Sequence, residues 1–395
     1  MHPPDRGLLH DPDAPPRLAV MMSGGGALAA YQVGALCALA EAVPDLRISV
    51  LCGVSAGAIN AIALGSQRGD FATRTAALEQ AWLELTPEHV FQVAPRRVAW
   101  RAIRWVVRLG SGGLFREHPR SLLGTEPLRR FLEERFADDN GRLVGVADSV
   151  ASGELDAVAI TASSYTSGKS TTWVETREDV AWDRDDRIGR RAALTIDHVM
   201  ASAALPLLFP AIRVGGEWCG DGGVLLTAPL SPAVHLGADR ILAVTTRYRG
   251  APNEPPDDEG YPPPARVAGL LLNALFLDQF DADALRLERI NHLISFVPPH
   301  ARQGLRKIDL LVLRPSIDLS RLASVHEIEL PWTLRFMTRG LGTQQTRHDE
   351  LLSLLMFEHS YLRQLIAQGR ADANARIDEL RAFVTGQPLR SAVAE

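Results

Sequence analysis

The stretch Val50-Leu51-Cys52-Gly53-Val54-Ser55-Ala56-Gly57-Ala58-Ile59-Asn60-Ala61 constrains this chain more than any other. Apolar, β-favouring residues from Ile48 to Leu51 run into Gly-x-Ser-x-Gly, and small helix-compatible residues follow at once. Strand, sharp turn and helix in that order hold a serine at the tip of the turn with its hydroxyl presented outward. Gly53 and Gly57 leave room where a side chain would clash as the chain doubles back. The amide of Ala56, with the start of the helix behind it, directs partial positive charge at an oxyanion formed beside Ser55. An ordinary βα turn in a parallel sheet would read the same way, so the neighbouring segments decide between the two.

One unit earlier, Arg17 to Met22 predict a short buried strand, ended by Ser23-Gly24-Gly25-Gly26. From Ala27 the period is helical, with Leu28, Tyr31, Ala35, Leu36 and Leu39 recurring at three and four up to Pro44. Strand, glycine loop, helix, strand, turn, helix is the alternation of an α/β protein whose mainly parallel sheet is covered on both faces. The glycine run has two chemical readings. It could cradle phosphate, yet Ala27, Leu28 and Ala29 follow Gly26, and neither a dinucleotide fingerprint nor a P-loop results. Alternatively, consecutive glycine amides opening a helix converge on one oxygen, which is an oxyanion hole. A serine turn one β-α unit later favours the second reading.

Further along, residues 70–140 read as mainly helical. Arg96, Arg97, Arg101, Arg104 and Arg108 lie among them without an intervening acid, with Trp100, Ile103 and Val107 largely on the opposite face. Such a segment suits an anionic bilayer surface, or is simply a solvated surface helix. Leu155 to Ala162 predict a strand, Ser163 to Lys169 a turn, and Ser170 to Glu175 its partner strand. A short helix over Asp197 to Ala204 and a hairpin over Ile212 to Cys219 lead to Gly220-Asp221-Gly222-Gly223, a carboxylate held among glycines. Arg240 to Thr245 predict a strand. Residues 249–266, rich in Pro and Asp, form a loop or linker. A helix over Val267 to Ile290, strands at Leu293 to Val297 and Ile308 to Leu313, and a helical stretch from Pro331 to Thr385 complete the pattern.

A net charge of -5 gives no support to a nucleic-acid partner. Cys37, Cys52 and Cys219 are odd in number and lack ligand spacing, which predicts reduced packing residues and a cytoplasmic setting. The Pro- and Asp-rich residues 1–16 read as a disordered tail without a signal-peptide pattern. The longest apolar runs fall short of a span of ~20 residues, so membrane contact is expected to be peripheral. No His/Asp/Glu cluster has metal-ligand spacing, and neither a metal nor another cofactor is expected. Nothing in the sequence speaks to oligomeric state.

Three motifs in order, Ser23-Gly24-Gly25-Gly26-Ala27, Gly53-Val54-Ser55-Ala56-Gly57 and Asp221-Gly222-Gly223, resemble those of a bacterial member of the patatin-like phospholipase family. Ala201-Ser202-Ala203-Ala204-Leu205-Pro206 with Phe209-Pro210 is similar to the stretch that the family carries ahead of its Asp. The resemblance covers Arg17 to Thr246. It implies a three-layer α/β/α sandwich over 17–248, with 267–395 as a mostly helical C-terminal region packing on it. It further implies a Ser-Asp dyad, with Ser55 as nucleophile and Asp221 as base, and an oxyanion hole from the amides of Gly24, Gly25 and Gly26. The implied substrate is a phospholipid or related lipid. In one respect the chain departs from the pattern: the family usually carries Arg or Lys two residues after the third glycine, and here Leu28 stands there. The backbone donors do not need that cation, so its loss bears on rate and head-group preference unless Arg213 or Lys169 substitutes.

Three other functions fit the same residues. An α/β-hydrolase triad needs a histidine after the acid, drawn from His292, His300, His326, His348 or His359. Acyltransfer to an acceptor other than water would use the same acyl-serine. A lipid-binding or regulatory protein on a hydrolase scaffold would have lost turnover, a reading that Leu28 favours.

Overall fold

The computed structural model describes residues 15–92, 100, 121–250, 264–326 and 350–387. In chain order its elements are β1 (Leu18–Met22), α1 (Ala30–Ala42), β2 (Val50–Val54), α2 (Ala56–Ser66), α3 (Phe71–Leu83), α4 (Pro87–Val90), α5 (Glu126–Phe136), α6 (Val144–Ala151), β3 (Ala157–Ser164), β4 (Ser170–Thr176), β5 (Ala181–Asp183), β6 (Arg187–Arg191), α7 (Ile196–Ser202), β7 (Ile212–Val214), β8 (Glu217–Gly220), α8 (Ser231–His235), β9 (Arg240–Val244), α9 (Pro264–Ser295), β10 (Asp309–Leu313), α10 (Ser320–His326), α11 (Glu350–Leu355), α12 (His359–Ala375) and α13 (Ile377–Thr385). Every residue of β1 and β2 is buried, as expected of strands covered on both faces. Successive residues of β1 point to opposite sides of the sheet. Leu18, Val20 and Met22 enter a core shared with α1, α2, α3 and α12, while Ala19 and Met21 share a second core with Leu230, just ahead of α8, Ala233 from α8, and Phe280 and Leu287 from α9.

The strands join one ten-stranded sheet in the order β10-β9-β1-β2-β3-β4-β6-β5, with β8 on the end of β3 and β7 on β8. From β10 to β3 all pairings are parallel, with Ala19 opposite Val50 and Val54 opposite Thr161. The β3-β4, β3-β8, β7-β8 and β5-β6 pairings are antiparallel, so the sheet is mixed but mostly parallel. Helices on both faces make it the expected α/β/α arrangement. Because β1 and β2 are parallel neighbours, the glycine loop and the serine turn leave the sheet side by side at its carboxyl edge, where open α/β sheets bind ligands.

The residues assigned to a strand at Leu293 to Val297 lie instead mostly in α9, which runs to Ser295. Buried Phe280, Ala284, Leu287 and Ile294 follow a helical spacing, and Leu293 and Phe296 are exposed. A short apolar run cannot distinguish the two states, and here the longer period wins. Strand β10 falls within the predicted Ile308 to Leu313. Strands β5 and β6 and helix α6 carry no such signal and add to the pattern read from sequence. The arginine-rich segment from Arg96 to Arg108 lies outside the described residues apart from Trp100, as do residues 1–14 of the tail, 251–263 of the Pro/Asp-rich stretch and 331–349.

The C-terminal helices share the main core. Helix α12 lies on α1, burying Tyr361, Leu362, Leu365 and Ile366, and Arg370 reaches Glu41 and Glu79. Phe357, between α11 and α12, stacks on Trp82 of α3, with ring centroids 6.4 Å apart.

Candidate active site

Strand β2 ends at Val54 and α2 begins at Ala56, so Ser55 alone makes the turn, at φ 56 and ψ -127. A left-handed angle at a residue with a Cβ costs about 1–3 kcal/mol and persists only where the surroundings enforce it. Enforcement comes from both sides. Behind the turn, Gly57 lies so close to the Met22 and Ser23 carbonyls of β1 and its loop that no side chain fits. In front, the Ser55 N–H donates to the hydroxyl of Ser202 at 2.8 Å, while the Ser55 carbonyl accepts from Ala58 at 2.9 Å and starts α2.

Asp221 follows β8 and caps the short helical turn Gly222–Val224. Its N–H donates to the Ala204 carbonyl at 2.9 Å, and its Oδ1 accepts from the Gly223 N–H at 2.9 Å. The other oxygen, Oδ2, accepts from Ser55 Oγ at 2.6 Å, although the two residues are 166 apart in sequence. That distance lies in the range of a charge-assisted O–H···O bond. Asp221 is fully buried, and removal from water pushes its carboxyl up from 3.8 to about 7, against the two hydrogen bonds that pull it down. At neutral pH this carboxylate can therefore take a proton as readily as release one.

In the glycine loop the carbonyls are tied back. The Ser23 carbonyl accepts from Gln32 Nε2 at 2.8 Å, the Gly24 carbonyl from Thr246 Oγ1 at 2.9 Å, and the Gly25 carbonyl from the Leu28 N–H at 3.0 Å. In a trans peptide the N–H points away from its carbonyl, so fixing these three oxygens fixes the directions of the Gly24, Gly25 and Gly26 amides. Gly25 stands at φ 148, a value open only to glycine. A side chain at Gly24 would place its Cβ 3.0 Å from the Cβ of Ser55, which brings the loop against the nucleophile candidate. Behind the loop a buried polar chain continues: Asn60 Nδ2 donates to Gln32 Oε1 at 2.9 Å, and Trp82 Nε1 to Asn60 Oδ1 at 2.7 Å. Ala56 is the first residue of α2, so its amide faces the end of the helix that favours negative charge.

Ser23, Gly24, Val54 and Gly223 line a mostly apolar cleft together with Leu226 and Phe280. About 20 Å³ of free space remains in it, room for one water.

Leu28 is buried in the main core and brings no charge to the loop. Lys169 is engaged by Asp183 and the Arg184 carbonyl, and Arg213 Nε donates to the Gly216 carbonyl of its own hairpin. Among the described residues no histidine bonds to Asp221: His359 meets the Leu83 carbonyl and His292 the ring of Phe296. The side chain of His326, and all of His348, lie outside the description. The three cysteines are free and buried. Among the described residues no group of three His, Cys, Asp or Glu could hold a metal, and no helix is long and apolar enough to cross a membrane. Ser202, Gln32, Asn60 and Thr246 are the site residues that the sequence reading left without a role. The first is inside the Ala201 to Pro206 stretch singled out there, and a hydroxyl among small apolar residues was the available signal.

No curated protein sequence matches the chain. Among solved structures it is similar to human GIVD cytosolic phospholipase A2, at 12% identity and a TM-score of 0.45 over 94% of this chain and 61% of that one. It is also similar to VipD from Legionella pneumophila, at 14% identity and a TM-score of 0.34 over 92% and 71% of the two chains. For the type III effector protein ExoU the identity is 15% and the TM-score 0.34, over 93% and 53%. The chain thus spans about three fifths of the length of the human enzyme. The family model for patatin-like phospholipase matches residues 20–234, more than half of the chain and all three motifs. With the glycine loop, the serine turn and the aspartate inside that match, the chain belongs to the patatin-like phospholipase family.

Proposed function

We propose that this protein is a serine acyl hydrolase that cleaves fatty-acyl ester bonds of phospholipids or related lipids with Ser55 as nucleophile and Asp221 as base. The observation that carries the reading is the 2.6 Å hydrogen bond from Ser55 Oγ to an aspartate that burial brings to about 7. As Oγ attacks the ester carbonyl, its proton passes to Asp221 Oδ2, and the carbonyl oxygen becomes an oxyanion facing the amides of Gly24, Gly25, Gly26 and Ala56. Collapse of this intermediate expels the alcohol, which takes the proton from Asp221, and leaves the acyl group on Ser55. A water then gives its proton to the same carboxylate and attacks the acyl-serine, releasing the fatty acid and restoring both side chains. Each oxyanion donor of this kind is worth about 3 kcal/mol of barrier. Action on a lipid surface as a peripheral protein is part of the same proposal.

Hydrolysis of a short-chain nitrophenyl ester, with lipid profiling of a membrane extract, tests it. Turnover should disappear in both Ser55→Ala and Asp221→Asn, and free fatty acid should accumulate only with the unaltered protein. Full activity in either variant, or no labelling of the native protein by a fluorophosphonate, overturns the reading.

A further inference from the structure

One buried hydroxyl stands between the two halves of the site. Ser202, the last residue of α7, accepts the N–H of Ser55 at 2.8 Å and donates to the Thr161 carbonyl of β3 at 2.7 Å. Strands β2 and β3 run parallel as far as the pairing of Val54 with Thr161. Beyond that pair β2 turns away, and the Ser202 hydroxyl bridges the amide and the carbonyl where the strands part. A hydroxyl that accepts one bond and donates another has both directions set, so Ser55 is held at a fixed offset from β3.

The same segment also touches the other partner. Two residues after Ser202, the Ala204 carbonyl accepts the Asp221 N–H at 2.9 Å. Gly222, next to Asp221, packs against the Thr161 carbonyl too closely for any side chain. The end of α7 therefore grips Ser55 through Ser202 and Asp221 through Ala204, with Thr161 as their common reference. It also occupies the Ser55 N–H, which leaves the glycine loop and Ala56 as the free amide donors.

We infer that Ser202 is a positioning residue that sets the distance between Ser55 and Asp221. The inference rests on the hydrolase reading above. Without the bridge, the turn relaxes and Oγ moves off Oδ2, and small displacements of reacting groups are costly to rate. Because the Ser55 hydrogen bond lowers the Asp221 pKa, its loss also moves the carboxyl upward.

The test compares native protein, Ser202→Ala and Ser202→Thr by fluorophosphonate labelling rate, by kcat and KM on a soluble nitrophenyl ester, and by pH profile. For Ser202→Ala the labelling rate and kcat should fall about tenfold or more, with KM within about twofold and the acid limb shifted to higher pH. Ser202→Thr, which keeps the hydroxyl, should recover most of the rate. A labelling rate and kcat within about twofold of native in Ser202→Ala, with an unmoved acid limb, overturns the inference and leaves the hydrolase reading intact. Native protein inert to both reagents sinks the hydrolase reading and this one with it. Should Ser202→Ala not fold, Ser202→Cys decides: an intermediate loss is expected, and native rates would refute the role.

Discussion

Replacing Asp221 with asparagine should remove activity and stabilise the protein, more so as the pH rises. The carboxyl is fully buried and lifted from 3.8 to about 7. In the folded state it prefers to be neutral, whereas in the unfolded chain it ionises freely. Between these two values the folded protein binds more protons than the unfolded one, so the contribution of Asp221 to stability is complete below about pH 4 and is lost as the pH climbs through 7. Moving a carboxyl from 3.8 to about 7, at ~1.4 kcal/mol per pH unit, corresponds to about 4 kcal/mol lost at alkaline pH. Asparagine is nearly isosteric and never ionises. Its oxygen can still accept from Gly223, and its amide can face Ser55 Oγ. Denaturant unfolding of both proteins at about pH 5 and pH 8 measures the difference. The variant should gain about 2–3 kcal/mol over native protein between the two conditions. A stability difference that is constant with pH, or that shrinks as the pH rises, would refute the claim that desolvation dominates this carboxyl.

The same titration has a kinetic face: kcat/KM on a soluble ester should fall on the acid side with a midpoint near 7, because only the ionised Asp221 can accept the Ser55 proton. A midpoint near 4 would mean that the base is a hydrated carboxylate elsewhere. Gln32→Leu strips the Ser23 carbonyl of its buried partner, at about 1–3 kcal/mol for a group left unpaired, and removes one of two partners each from the Val244 carbonyl and Asn60 Nδ2. It should lower the unfolding free energy by a few kcal/mol and slow fluorophosphonate labelling about tenfold through misdirected glycine amides; unchanged labelling in a destabilised variant would limit Gln32 to a packing role. Turnover should withstand exhaustive chelation, and its loss, restored by added metal, would contradict the dyad chemistry.

The turn at Ser55 was legible because its demands are local. A strand that reverses into a helix within one residue needs room on either side, and Gly53 and Gly57 announce that room. The alternation of β1, α1, β2 and α2 was legible for the same reason, since apolar periodicity records which faces are covered. The strand expected at Leu293 failed because a few apolar residues fit either period, and only the packing of Phe280, Ala284 and Leu287 in one core with the sheet, with Ile294 buried further along, selects the helix. Strands β5 and β6 went unseen because short strands at the rim of a sheet need no apolar run; the pairing of β6 with β4, and of β5 with β6, defines them.

Sequence alone determined which atoms are available: a hydroxyl at position 55, a carboxyl at 221, and a run of amides free of side chains at 24–26. Their use is a tertiary matter. The folded sheet brings Ser55 and Asp221 within 2.6 Å, ties back the loop carbonyls through Gln32 and Thr246, and sets Ser202 between the strands. Backbone strain and glycine demand are properties of neighbours in the chain, so they are written in its order. Desolvation and hydrogen-bond direction depend on what surrounds a group in space, and only the completed fold supplies those surroundings.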